Sequence, residues 1–331
     1  MELDSARELK ARILDEVAAK APLDPHAAAA GKGGGAVAVG LLPLAGGGAR
    51  VAVRLAGDDD RARLPDLGRA ADAELDVRVI GRVRALSSPG DNWSPDRLQR
   101  RTRPLRPGLS VAHPTVTAGT LGGFVRVGGS LAVLSNNHVL AASDAATVGD
   151  PVLQPGPADG GTAADRIATL TRFVRLVAEG ANVVDAAIAV LDDDDARPGL
   201  LPGGPLTGPV PDGLDVEPDE AVEKLGRTTG HTVGRVTAVE VDGLSVVYDD
   251  PAGSPAGRVL RFDDQVEVTG EGTAFSAGGD SGSVIWRSAD RGPLGLLFAG
   301  SSTGGPGGAG VTFAAPMATV LTTLDAEWVP E

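Results

Sequence analysis

The sequence predicts a mainly β fold: two β-barrels with a C-terminal helix, preceded by a small α/β domain. Three observations carry this. From Ser110 onward, short apolar runs alternate with turn residues in a strand–turn–strand pattern. The 331 residues include 47 glycines and 24 prolines but only 3% aromatics, which suits many short strands and not long helices. A stretch loaded with Pro, Gly and Asp, about residues 192–220, separates two groups of strands as a connection between barrels would. The chain is also too long for one ordinary hydrophobic core, so two domains are expected.

Taken in order, residues 3–20 place Leu9, Ile13, Leu14 and Val17 on one helical face. A Gly/Ala-rich stretch follows, then strand-like runs at 36–42, 50–55 and 75–83, with a polar segment at 58–72 suited to a short helix. These make a small α/β domain over 1–86 and leave a Ser/Pro/Arg-rich linker over 87–108. The third unit spans 109–331. In it, runs at 120–127 and 130–134 flank Gly128 and Gly129, a hairpin signal. Further strand candidates are 187–191, 234–241, 244–248, 259–262, 283–286 and 295–299. Residues 316–328 have the apolar spacing of a helix packed on the second barrel.

The net charge of −14 argues against a general nucleic-acid binder, since a polyanion would be repelled overall. The local run Arg100, Arg101, Arg103 and Arg106 reads as a solvated linker or an inter-domain contact. With no cysteine, neither disulfides nor a thiolate metal site can form. The four acids from Asp192 to Asp195 lack EF-hand spacing and read as a solvated loop, so no metal and no cofactor is expected. The first twenty residues intersperse acids and bases with no apolar core, unlike a signal peptide. No stretch approaches the roughly 18 apolar residues of a membrane span. A cytoplasmic location and no membrane partner are expected.

The chemistry is concentrated in Gly278-Gly279-Asp280-Ser281-Gly282-Ser283, which runs into the apolar Val284-Ile285-Trp286. A serine hydroxyl needs a base to take its proton and donors for the oxyanion it creates. Glycines around Ser281 let backbone N–H groups converge on one point, so the expected hole is the N–H of Gly279 and of Ser281. Alone, the motif also describes a tight turn. The base candidates are His26, His113, His138 and His231. His138 lies where an apolar run ends in Ser135-Asn136-Asn137 before Val139-Leu140, a placement at a barrel rim. His26 and His113 sit beside proline and read as structural, and His231 lies in a Gly/Thr-rich turn, with a substrate contact as its functional alternative. Asp185 interrupts the apolar run 183–191, and a carboxylate buried there needs strong donors such as an imidazole N–H.

The order His138, Asp185, Ser281, with gaps of 47 and 96 residues, resembles the chymotrypsin family of serine peptidases, whose triad is a worked example of this chemistry. The segments around these residues look most like the bacterial trypsin-like peptidases related to the plant narrow-leaf proteins. So do Arg103-Pro104-Leu105, Gly108-Leu109-Ser110, 117–122, 154–157 and Gly226-Arg227-Thr228-Thr229-Gly230. The resemblance implies a chymotrypsin-like double β-barrel and a peptide or protein substrate. Gly226–Gly230 also resembles the streptogrisin and α-lytic proteases, in which a basic residue two positions before the first glycine pairs with the Asp before the nucleophile. Here those residues are Lys224 and Asp280, with Arg227 in reserve. The resemblance further puts Phe275 at the base of a substrate pocket, implying cleavage after apolar residues, and Gly300 in the same pocket. Two departures stand out: Ser283 replaces the usual Gly, and Phe298-Ala299 stand where a serine commonly supports the catalytic Asp.

The expected function is therefore endopeptidase action through an acyl-enzyme on Ser281, with His138 as base and then acid and Asp185 orienting it. A weak or inactive peptide-binding module is the alternative, as is a protease kept latent by its N-terminal domain.

Overall fold

The computed structural model describes residues 1–20, 37–45, 47–65, 74–81, 83–85, 97–193, 195–196, 198–211, 216–217, 219–249 and 257–330. His26, the start of the first expected strand, residues 66–72 of the expected short helix and linker residues 87–96 lie outside them.

The chain opens with α1 (Leu3–Lys20), whose Ala6, Leu9 and Ile13 are buried. They pack on β1 (Val37–Pro43) and β2 (Ala49–Leu55), an antiparallel pair in register from Val37↔Leu55 to Pro43↔Ala49. The polar segment after β2 forms a 3₁₀ turn over Asp58–Arg63. Then β3 (Leu75–Val79) pairs parallel to β2, and β4 (Val83–Ala85) follows.

The first barrel uses β5 (Ser110–Val111), β6 (Gly119–Thr120), β7 (Gly123–Val127) and β8 (Ser130–Ser135), then the one-turn α2 (Asn137–Leu140). It continues with β9 (Pro151–Leu153), β10 (Arg166–Phe173) and β11 (Ala187–Leu191). The expected strand at 120–127 is broken at Leu121 and Gly122, where Gly122 N–H donates to Leu134 O. Leu153 exchanges two backbone hydrogen bonds with Ala112, which brings the sheet round on itself. Phe124, Val133, Leu134, Leu140 and Ile188 fill the interior.

The second barrel comprises β12 (Ala221–Gly226), β13 (Gly230–Asp242), β16 (Gln265–Gly270), β17 (Val284–Arg287), β18 (Pro293–Gly300) and β19 (Thr312–Pro316). They close in the order β12-β13-β16-β19-β18-β17 and back to β12. A hairpin of β14 (Leu244–Tyr248) and β15 (Arg258–Phe262) projects from the end of β13. This is the mainly β architecture of two barrels that the sequence predicts.

β9, β10, β12, β16 and β19 are not among the expected strands, and β16 and β12 show a physical reason. β16 is buried along its whole length yet contains Gln265 and Glu267. Glu267 is tolerated there because Arg54 of β2 reaches it through Nε at 2.7 Å and Nη2 at 2.9 Å, with the Thr237 hydroxyl adding a third donor at 2.7 Å. β12 likewise hides Lys224 inside its apolar face. The Arg54–Glu267 pair, the pairing of β1 with β13, and a core shared by Ile13, Val51, Val236 and Phe275 bind residues 1–79 to the second barrel.

α3 (Met317–Leu324) is shorter than the expected helix, because Asp325 turns left-handed at φ 47°. The chain then forms β20 (Glu327–Trp328), which pairs with β7, so the C-terminus ties back to the first barrel. The helix packs against β18 and β19 of the second barrel, as the sequence predicts, and Met317, Val320 and Leu324 lie in a cluster that also takes in Phe124, Leu134 and Ile188 of the first barrel. Among the described residues, no helix is long and apolar enough to cross a membrane.

Candidate active site

Asp185 and His138 are held where the two barrels meet. Asp185 is fully buried just before β11. The His138 backbone N–H donates to its Oδ1 at 3.2 Å, and His138 Nδ1 lies 2.5 Å from its Oδ2. Asn136 fixes the other end of the same residue, donating from Nδ2 to the Asp185 carbonyl at 2.7 Å. Asn137 is tied to Asp144 and to the Val174 carbonyl, so α2 cannot slide along the rim. Since a carboxylate only accepts, Nδ1 carries the proton. Nε2 is then the basic nitrogen, and it is buried without a hydrogen-bond partner among the described residues.

A third donor to Asp185 comes from a residue that the sequence reading passed over as a strand position. Tyr248, at the end of β14, donates its hydroxyl to Asp185 Oδ2 at 2.8 Å, and its ring meets the His138 imidazole edge-on at 5.7 Å. Burial pushes the phenol pKa well above its ordinary value, and the Asp185 carboxylate raises it further. Tyr248 therefore remains a donor at neutral pH. It supplies the support that Phe298 and Ala299 cannot. It is the chain's one tyrosine, but sequence spacing carries no sign of its reach because 63 residues separate it from Asp185.

Ser281 is buried in the turn leading to β17. Every carbonyl from Gly278 to Ser281 has a partner. Gly278 O accepts from the Thr228 hydroxyl (2.7 Å), and Gly279 O from the Thr120 hydroxyl (2.9 Å). Asp280 O accepts from Ser283 N–H (2.9 Å) and Ser283 Oγ (2.6 Å), and Ser281 O from Thr120 N–H (2.8 Å). In a planar trans peptide the N–H points opposite to the C=O. Pinning Gly278 O and Asp280 O thus aims the N–H groups of Gly279 and Ser281 away from those partners. Ser283, which stands where the resemblance would put Gly, is one of the pins. Gly279 has φ +94°, and a Cβ there would meet Arg227 Nη1 and Thr228 Oγ1 at 2.5 Å, so only glycine fits. The Ser281 hydroxyl is turned toward Phe298 O at 3.4 Å.

Below this turn, Asp280 and Lys224 are both fully buried, with Nζ 3.3 Å from Oδ2. Asp280 also accepts from the N–H groups of Thr228, Thr229 and Ala277 and from the Thr229 hydroxyl. Thr229 Oγ in turn receives a hydrogen bond from Lys224. Burial lowers the Lys224 pKa, and Asp280 pulls it back up. Arg227 instead forms an ion pair with Asp159.

The remaining candidates are placed as follows. Phe275 lies in the second core, its ring 5.7 Å below the Lys224 ammonium. Gly300 ends β18 beside β4. His113 contacts Thr115 and Asp150, and His231 contacts Glu223 and stacks on Trp286, so neither joins the His138 cluster. Arg101 pairs with Asp165 and Arg103 bonds Gln154, which makes the basic run a contact with the first barrel. No group of three or more His, Asp or Glu poised for a metal is found among the described residues.

No family model matches the chain, and no curated protein matches it. Among solved structures it is similar to Thermobifida fusca protease A, at 17% identity and TM-score 0.45, over 69% of this chain and 100% of that one. A Nocardiopsis protease gives 18% identity and TM-score 0.46 over 68% and 99%. A glutamic acid-specific serine protease gives 20% and 0.45 over 68% and 100%.

Proposed function

We propose that the chain is a serine endopeptidase that hydrolyses peptide bonds through an acyl-enzyme on Ser281. The observation that carries this is the buried Asp185–His138 contact, which fixes the imidazole tautomer and leaves Nε2 as a base. Ser281 attacks the scissile carbonyl as Nε2 takes its proton. Asp185 stabilises the imidazolium, and that proton then passes to the leaving amine. The N–H groups of Gly279 and Ser281 receive the oxyanion, and the Lys224–Asp280 pair holds their turn without a proteolytically released amine. In the resting chain the Ser281 hydroxyl faces Phe298 O, so attack requires it to exchange that acceptor for His138. The trypsin-like peptidases related to narrow-leaf proteins are the relatives this reading favours.

A fluorophosphonate probe tests the proposal. It should label the full chain at Ser281, identified by peptide mass mapping, and should not label Ser281→Ala. Absence of labelling under conditions that release the cleft would remove the enzyme reading and leave the peptide-binding module.

A further inference from the structure

The edge of β18 nearest the nucleophile is occupied by the chain itself. β17 covers β18 from Pro293 to Leu296, and the turn before it adds one more rung, Gly282 N–H to Leu297 O at 2.8 Å and Leu297 N–H to Ser283 O at 2.9 Å, before the chain bends away at Ser281. Beyond Leu296, β19 stays on one side of β18, opposite Ala299 and Gly300. The other side is opened by the same turn that carries Ser281. Its position relative to the nucleophile is fixed, since Phe298 O is 3.4 Å from Ser281 Oγ.

β4 fills that opening. Arg84 lies opposite Gly300 and Ala85 opposite Ala299, antiparallel, so the chain runs toward Phe298 and Ser281 as the register advances. On its far side β4 pairs parallel with β14, at Val246↔Val83 and Val247↔Arg84. The approach is also fastened: Thr303 Oγ donates to Ile80 O at 3.0 Å, and a Cβ on Gly304 would collide with Ile80. Val83 and Ile80 are buried in an apolar cluster with Val246, Phe262 and Phe298.

Adding a strand to an exposed edge is a general way to hold an extended peptide: main-chain bonds give affinity, and alternate side chains enter pockets. We propose that β4 is an internal competitor: sandwiched between β14 and the β18 edge at Ala299–Gly300, with Val83 in the apolar cluster, it holds the place that an extended polypeptide substrate would take under the proposed function. Access to Ser281 for a protein substrate then requires β4 to leave. The proposal rests on Ser281 as nucleophile for its consequence, but the occupancy itself is independent of catalysis.

The test uses the full chain. Ala85→Cys/Ala299→Cys places the only two cysteines on facing positions, so oxidation locks β4 in place and reduction frees it. Val83→Asp puts a carboxylate into the apolar cluster and releases β4. In a Ser281→Ala background, a fluorescent synthetic peptide copying residues 80–85 is titrated against each form. If the released state is a minor one in the unmodified chain, apparent affinity should rise about 10–100-fold in Val83→Asp. The oxidised pair should bind least, and reduction should restore the unmodified value. Equal binding by the locked and reduced forms, with the disulfide verified by mass, overturns the proposal even if Val83→Asp fails to fold. Casein cleavage by the Ser281-containing chains should follow the same order. A Val83→Asp chain that gains peptide binding but takes no fluorophosphonate would instead overturn the nucleophile assignment and leave the strand site standing.

Discussion

Lys224→Met removes the one cation that pairs with Asp280 among the described residues and keeps the length of the side chain. At 3.3 Å and an effective dielectric of 20, the lost attraction is about 5 kcal/mol. Two effects work against this loss. Methionine carries no ammonium to desolvate, and Asp280 retains three backbone N–H donors and the Thr229 hydroxyl. Breaking a buried pair on one side costs about 3–5 kcal/mol, and these residual donors place the expected loss near about 3 kcal/mol. Because Asp280 immediately precedes Ser281, the strain falls on the turn that aims the Gly279 N–H, and the acylation rate should fall as well. Urea unfolding measures the first effect and burst kinetics with an activated ester the second. The double variant Lys224→Met/Asp280→Asn separates charge from shape. With both charges gone most of the stability should return, whereas the acylation rate should not, since asparagine cannot accept all the turn's donors. A single variant within about 0.5 kcal/mol of the parent, with an unchanged burst, would refute the idea that the pair holds the turn.

Ser281→Ala and His138→Ala should each lower peptidase kcat by roughly 10,000-fold without unfolding the chain, and unchanged turnover in either would end the triad assignment. Thr228→Val frees the Gly278 carbonyl; if that carbonyl sets the Gly279 N–H, kcat should drop about 100–1,000-fold with little change in KM. An equal loss in both parameters would point to general damage. Tyr248 has a raised pKa in the fold, so the unfolded chain releases this proton first. The stability it contributes is complete below about pH 10 and declines by about 1.4 kcal/mol per pH unit as pH rises beyond that. As the chain's one tyrosine, it can be followed by tyrosinate absorbance. Ionisation at the ordinary value in the folded protein, or an unchanged alkaline slope in Tyr248→Phe, would contradict its bond to Asp185.

The sequence by itself determined whatever is written in local order. The strand–turn alternation was legible because strand faces and turns repeat over a few residues. His138, Asp185 and Ser281 stood out because each interrupts or ends an apolar run in a way that is costly unless partnered. Only the tertiary structure could decide which distant residues are those partners. Tyr248 reaches Asp185 across 63 positions, Arg54 neutralises Glu267 across 213, and Thr228 pins Gly278 across 50. β16 and β12 were hidden for the same reason: a buried Glu or Lys reads as surface until its counter-ion, supplied by another strand, is in place. β4 shows the limit most clearly. Its residues spell an ordinary short strand, and nothing local says that it will pair with β14 and β18. That depends on the turn at Ser281 carrying β17 away and leaving an edge of backbone donors and acceptors that must be bonded by something.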